Sequence, residues 1–200
     1  MLVLHHGRGT DERDLLPLTD ALDPARLLHV VSPRAPLQIG GWPGYHWYAV
    51  PRVGHPDPVT FDAAFRALGD LHDELWERTG ISPERTVLGG FSMGAVMSYA
   101  TALARERPSV AGILAFSGFV PQVSGWEPSF AEHASTHAFI AHGTRDPVID
   151  VSFGHGARDL LLAGGLEVEY HESAVGHQID PAYVVAASSW LGSTLDLEAQ

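Results

Sequence analysis

The chain has no cysteine and no lysine. Without cysteine there is no disulfide, no thiolate metal ligand and no thiol nucleophile, so those chemistries are excluded. All twelve basic residues are arginine, against 24 acidic ones, and the net charge is -12. A surface of that sign repels phosphate backbones and anionic leaflets, which argues against nucleic acid and membrane as partners. No stretch approaches the roughly 20 consecutive apolar residues of a membrane-spanning helix. The opening Met1 to Gly7 has neither a basic segment nor a long apolar core, so no secretory signal is read there and a cytoplasmic location is expected. Charged residues make up only 18% and hydrophobic ones 45%, which excludes disorder and polar low complexity. Two hundred residues fit one domain with a full core, and residues 1–200 are read as such.

What is present alternates. Short apolar runs at Leu2–His5, Leu27–Val31, Thr86–Leu88, Gly112–Phe116, Ala138–Ala141 and Leu166–Tyr170 suit strands buried on both faces. Between them, apolar positions 61, 64, 65, 68, 71, 75 and 76 follow the 3.6-residue period of a helix. Further helices are expected over Ala95–Ala104, over Ala157–Ala163 with a stop at Gly164-Gly165, and from Pro181 to Leu191. Strand and helix in alternation predict an α/β fold with a doubly wound, mostly parallel sheet of about six strands. In such sheets the active site lies beyond the carboxyl ends of the strands.

The third strand runs into Gly90-Phe91-Ser92-Met93-Gly94 and then a helix. This is G-x-S-x-G in its strand–turn–helix context, where a tight turn with small flanking residues lifts the serine above the sheet. Ser92 is the candidate nucleophile, and the amide of Met93 at the helix N-terminus is a candidate oxyanion donor. A serine hydroxyl is a weak nucleophile that needs a base, and the base needs an orienting acid. Asp146 follows the fifth strand in His142-Gly143-Thr144-Arg145-Asp146-Pro147-Val148, and His177 follows the sixth in Val175-Gly176-His177-Gln178-Ile179. Their order after the serine is the one this fold requires. A glycine-rich turn after the first strand, His5-His6-Gly7-Arg8-Gly9-Thr10, offers the amide of Arg8 as second oxyanion donor. His6 is read as a brace for that turn, because a base there stands in the wrong order.

In these blocks, together with Asp11-Glu12 and the run from Leu114 to Gly118, the chain resembles the phospholipase/carboxylesterase family of small α/β-hydrolases, which includes acyl-protein thioesterases and many bacterial esterases. The blocks recur in family order across almost the whole chain. The resemblance implies an α/β-hydrolase fold and Ser92, Asp146 and His177 as catalytic residues. It also implies the amides of Arg8 and Met93 as oxyanion hole. One departure concerns the start. Family members usually carry one or two strands ahead of the glycine-rich turn, and here only five residues precede His6. The Leu27–Val31 strand is therefore expected at the sheet edge. A bare apolar edge invites a second chain, so a homodimer is expected there.

The segment from Ser32 to Pro58 is long and rich in proline, glycine and aromatics. Trp42, Tyr45 and Trp47 either wall a substrate pocket or pin the loop to the body, and the two roles are compatible. No connection is long enough for a lid domain, so an open site is expected. His133 and His137 stand four apart like a ligand pair, but the H-E-x-x-H pattern is absent and no metal is expected. The reading is a serine hydrolase acting on a small-molecule acyl ester through an acyl-enzyme, with no cofactor. A thioesterase or lysophospholipase using the same residues is the alternative within that class. A catalytically silent binding protein and a metallohydrolase are the alternatives outside it.

Overall fold

The computed structural model describes residues 1–197. Six strands, β1 (Leu2–His5), β2 (Val30–Val31), β3 (Val87–Phe91), β4 (Gly112–Phe116), β5 (His137–Gly143) and β6 (Val168–Ser173), form one sheet. Its order is β2-β1-β3-β4-β5-β6. Every neighbouring pair is parallel. The helices are α1 (Thr19–Leu22), α2 (Pro58–Thr79), α3 (Met93–Leu103), α4 (Val151–Ala163) and α5 (Pro181–Thr194).

Alternate residues of each central strand enter different cores. Val3, Leu88, Ile113 and Ile140 pack with α2, α3 and α4 on one face. Leu2, Leu4, Leu114 and Phe139 pack with α1 and α5 on the other. A strand covered on both faces has no position for a solvated side chain, which is why these runs are continuously apolar. All eleven residues of α3 are buried. The other long helices begin at designed caps. Asp57 accepts from the amide of Thr60 and precedes Pro58, and Asp180 accepts from Ala182 and precedes Pro181.

Several elements differ from the expectation. Strand β3 runs on to Phe91 rather than ending at Leu88. Strand β6 spans Val168–Ser173 rather than Leu166–Tyr170 and is half-buried rather than covered on both faces. Two more differ for identifiable reasons. The second strand shrinks from Leu27–Val31 to Val30–Val31. The carboxylate of Asp23 takes the amides of Leu27 and Leu28 at 3.0 and 2.7 Å, so these are spent on a turn rather than a ladder. Helix α4 starts six residues earlier than expected, at Val151, because Asp150 caps it through the amide of Ser152. Between β2 and α2 the chain forms no strand or helix of its own, as expected of the Ser32–Pro58 segment. Isolated bridges such as Leu37 with His46 and Thr10 with Tyr45 hold it.

Candidate active site

Ser92 sits between β3 and α3 with φ 55° and ψ -118°, a conformation few L-residues adopt. The turn is possible only because its neighbours are bare. A Cβ on Gly90 would stand 2.5 Å from the carbonyl carbon of Gly94, and one on Gly94 would stand 1.9 Å from the backbone oxygen of His5. The amide of Ser92 is held by the carbonyl of Phe116 at 2.9 Å. Strain held by its surroundings in this way is a mark of functional sites.

The three residues expected to act together lie in one hydrogen-bonded row. Ser92 Oγ stands 2.8 Å from His177 Nε2, and His177 Nδ1 stands 2.6 Å from Asp146 Oδ2. With Nδ1–H donating to the carboxylate, Nε2 is left as an acceptor facing the serine hydroxyl. The ring of His177 also packs on Phe91, 4.8 Å between centroids. The second oxygen of Asp146 accepts from the amides of Val148 and Ile149 at 2.8 and 2.9 Å. Burial alone would raise the carboxyl's pKa. The hydrogen bonds from His177 and the two amides outweigh it and hold the group below its ordinary value.

The loop carrying Asp146 has a brace that the sequence did not point to. His142 is fully buried, and its Nε2–H donates to the carbonyl of Ile149 at 2.8 Å. His6 braces the other side of the site. Its Nε2 accepts from the amide of Ala35 at 3.0 Å, so the proton is on Nδ1, which donates to the carbonyl of Gly7 at 2.7 Å. Among the described residues, the backbone amides of Arg8 and Met93 have no backbone acceptor, and both residues line the cleft into which Ser92 opens. That cleft is also lined by Tyr48, Val50, Val53, Phe119, Ile149 and Arg52.

The aromatic trio divides. Trp47 is buried in the core, and its indole N–H donates to the carbonyl of His6 at 2.9 Å, so it pins the loop. Tyr45 packs under the guanidinium of Arg34, and Trp42 stands 56% exposed beneath that of Arg8. None of the three lines the cleft at Ser92. The wall is supplied by residues a few positions further along the same loop. His133 and His137 do not share a helix face. His133 is buried and bonds the carbonyl of Ala104, while His137 opens β5 and pairs with Glu167. Among the described residues no three metal-ligating side chains converge.

The profile described as Phospholipase/Carboxylesterase matches residues 1–195. The chain belongs to the phospholipase/carboxylesterase family. Among its relatives, an acyl-protein thioesterase 1 homolog of Dictyostelium discoideum is 24% identical over 97% of this chain and 90% of its own. Acyl-protein thioesterase 1 of Debaryomyces hansenii is 28% identical over 84% of this chain and 77% of its own. Among solved structures, the Bacillus cereus carboxylesterase superposes with a TM-score of 0.84 at 26% identity, covering 97% of this chain and 88% of that one. Esterase PE8 gives 0.79 at 30% identity, covering 97% and 92%. The architecture is thus the α/β-hydrolase fold, and the phospholipase/carboxylesterase family places the chain among hydrolases of the esterase or acyl-thioesterase type.

Proposed function

We propose that the chain is a serine hydrolase that cleaves small acyl esters through Ser92, His177 and Asp146. The observation that carries this reading is the unbroken row from Ser92 Oγ through His177 to Asp146, at 2.8 and 2.6 Å. Ser92 Oγ attacks the carbonyl carbon while its proton passes to His177 Nε2. The oxygen that gains the negative charge is bound by the amides of Arg8 and Met93. Collapse breaks the bond to the leaving group, which takes the proton from His177. Water then repeats the two steps on the acyl-enzyme, giving a carboxylic acid and free Ser92. Asp146 holds the imidazole in the tautomer that can accept the serine proton, and its hydrogen bonds keep it ionised to do so.

The same steps cleave a thioester, and the names of the relatives support including that substrate class. Paired oxygen and sulfur esters of one acyl group separate the two by their kcat/KM ratio. The scheme needs no metal, so a chelator is expected to leave the rate unchanged. The direct test is a fluorophosphonate probe followed by peptide mapping. Covalent label on the peptide containing Ser92 is expected. A folded, unlabelled protein, or label elsewhere, contradicts the reading and favours a silent binding protein.

A further inference from the structure

The cleft beside Ser92 has apolar walls and two arginines, Arg8 and Arg52. Among the described residues five arginines, Arg8, Arg13, Arg52, Arg85 and Arg145, have no carboxylate partner, and of these Arg8 and Arg52 line this cleft. Seven of the twelve hold a carboxylate within 4.0 Å, as expected where acids outnumber arginines two to one. Among the described residues, neither Arg8 nor Arg52 has such a partner, and neither side chain donates a hydrogen bond. The acids nearest Arg8 in sequence are engaged elsewhere. Asp11 accepts from the amide of Arg13 at 2.9 Å, and Asp14 accepts from Thr10 Oγ at 3.1 Å. Glu12 is held by Arg34 through two hydrogen bonds of 2.5 Å, which lower its pKa to about 2. Arg8 instead lies over Trp42, its guanidinium carbon 4.1 Å from the ring centroid. Stacking uses the face of a guanidinium and leaves its N–H edge free for an anion in its plane.

We propose that Arg8 and Arg52 form an anion subsite, so that the preferred substrates are esters carrying a carboxylate or similar anion a few bonds from the scissile carbonyl. The proposal rests on the serine-hydrolase reading above. The physical argument is a contrast of scale. A protein of net charge -12 repels small anions at long range. Two guanidiniums without a carboxylate partner beside an apolar cleft favour an anion there, and each offers donors in the geometry that matches a carboxylate. Val50, Val53, Phe119 and Ile149 accommodate the carbon chain between the anion and the ester. Trp42 contributes by holding Arg8 in place rather than by touching substrate.

The test compares charged and neutral esters in two arms. In the acyl arm, the p-nitrophenyl monoester of glutaric acid is compared with p-nitrophenyl hexanoate. In the leaving-group arm, 3-carboxyphenyl acetate is compared with phenyl acetate. The charged ester is expected to lead in kcat/KM by about tenfold or more in one arm, the size of one charge-assisted contact, and that arm identifies the half of the substrate that meets the arginines. Arg52→Gln, at an exposed turn, should reduce the ratio toward parity, and Arg8→Gln should do the same. A neutral preference in both arms, or a charged preference that survives both substitutions, overturns the subsite. Charge-blind hydrolysis that still requires Ser92 removes the subsite and leaves the serine-hydrolase reading intact. Hydrolysis that persists in Ser92→Ala removes the hydrolase reading, and the subsite with it.

Discussion

At the scale of single residues, the turn at Ser92 depends on atoms that are missing. Gly94→Ala would press a methyl group against the backbone oxygen of His5 at 1.9 Å, with backbone on both sides and no flexible chain end to yield. A loss of about 3 kcal/mol or more is expected, at the upper end of overpacking effects. Gly192 in α5 is the control, since a Cβ there meets nothing within 4 Å. Gly192→Ala should gain about 0.5–1 kcal/mol through helix propensity and the stiffer unfolded chain. Denaturant midpoints of the two variants check both statements, and equal effects would contradict them. Ser92, Asp146 and His177 were readable as candidates because each follows a strand's carboxyl end, and chain order matched the serine to a candidate acid and a candidate base. His142 was not. Its only signal is a histidine directly after an apolar run, and its partner, the carbonyl of Ile149, carries no mark in sequence.

At the scale of elements, the central strands β1, β3, β4 and β5 are covered on both faces and gave continuous apolar runs, so they and the four longer helices were legible, whereas β6 reads Val-Glu-Tyr-His-Glu-Ser and is only half-buried. The edges were less so. Asp23 diverts the amides of Leu27 and Leu28, a competition between side chain and ladder that hydrophobicity does not report. The start of α4 was hidden by Gly154 and Gly156, which lower helix propensity while the cap at Asp150 holds. In the long loop Trp42, Tyr45 and Trp47 drew the pocket assignment, and residues after them, from Tyr48 to Pro56, line the cleft. The contact of β1 with α2 carries a pH dependence. His5 and His72 are buried, with Nε2 atoms 3.3 Å apart, and His5 also bonds Ser98 at 2.8 Å. Burial foremost lowers both pKa values, that of His72 to about 3. The unfolded chain takes up protons below roughly pH 6.5 that the folded chain refuses. Stability is therefore full above that pH and falls on acidification toward pH 3, by about 1.4 kcal/mol per pH unit for each histidine. Urea midpoints at pH 7 and pH 5 should show the fall, and His72→Gln should flatten it by one histidine's share. A pH-independent midpoint would contradict the account.

At the scale of the whole molecule, β2 lies at the sheet edge as expected, but it offers only two residues to a partner. Beside it Leu27 is 58% exposed. We propose that a second copy covers this edge, with the apolar side chain contributing more than the short ladder. Sedimentation at micromolar concentration should give the mass of a dimer that Leu27→Asp dissociates, and a monomeric mass for the unaltered chain would contradict the proposal. At the carboxyl ends of β3, β5 and β6, Ser92, Asp146 and His177 form their row. The proposed catalysis depends on Ser92 Oγ being the atom that is acylated. The steady-state rate of p-nitrophenyl ester hydrolysis by Ser92→Ala, measured on protein shown to be folded, tests that most directly. The account predicts a loss of kcat/KM on the order of a thousandfold or more with an unchanged denaturation midpoint. Retention of more than about a few per cent of the activity by the folded variant would contradict it.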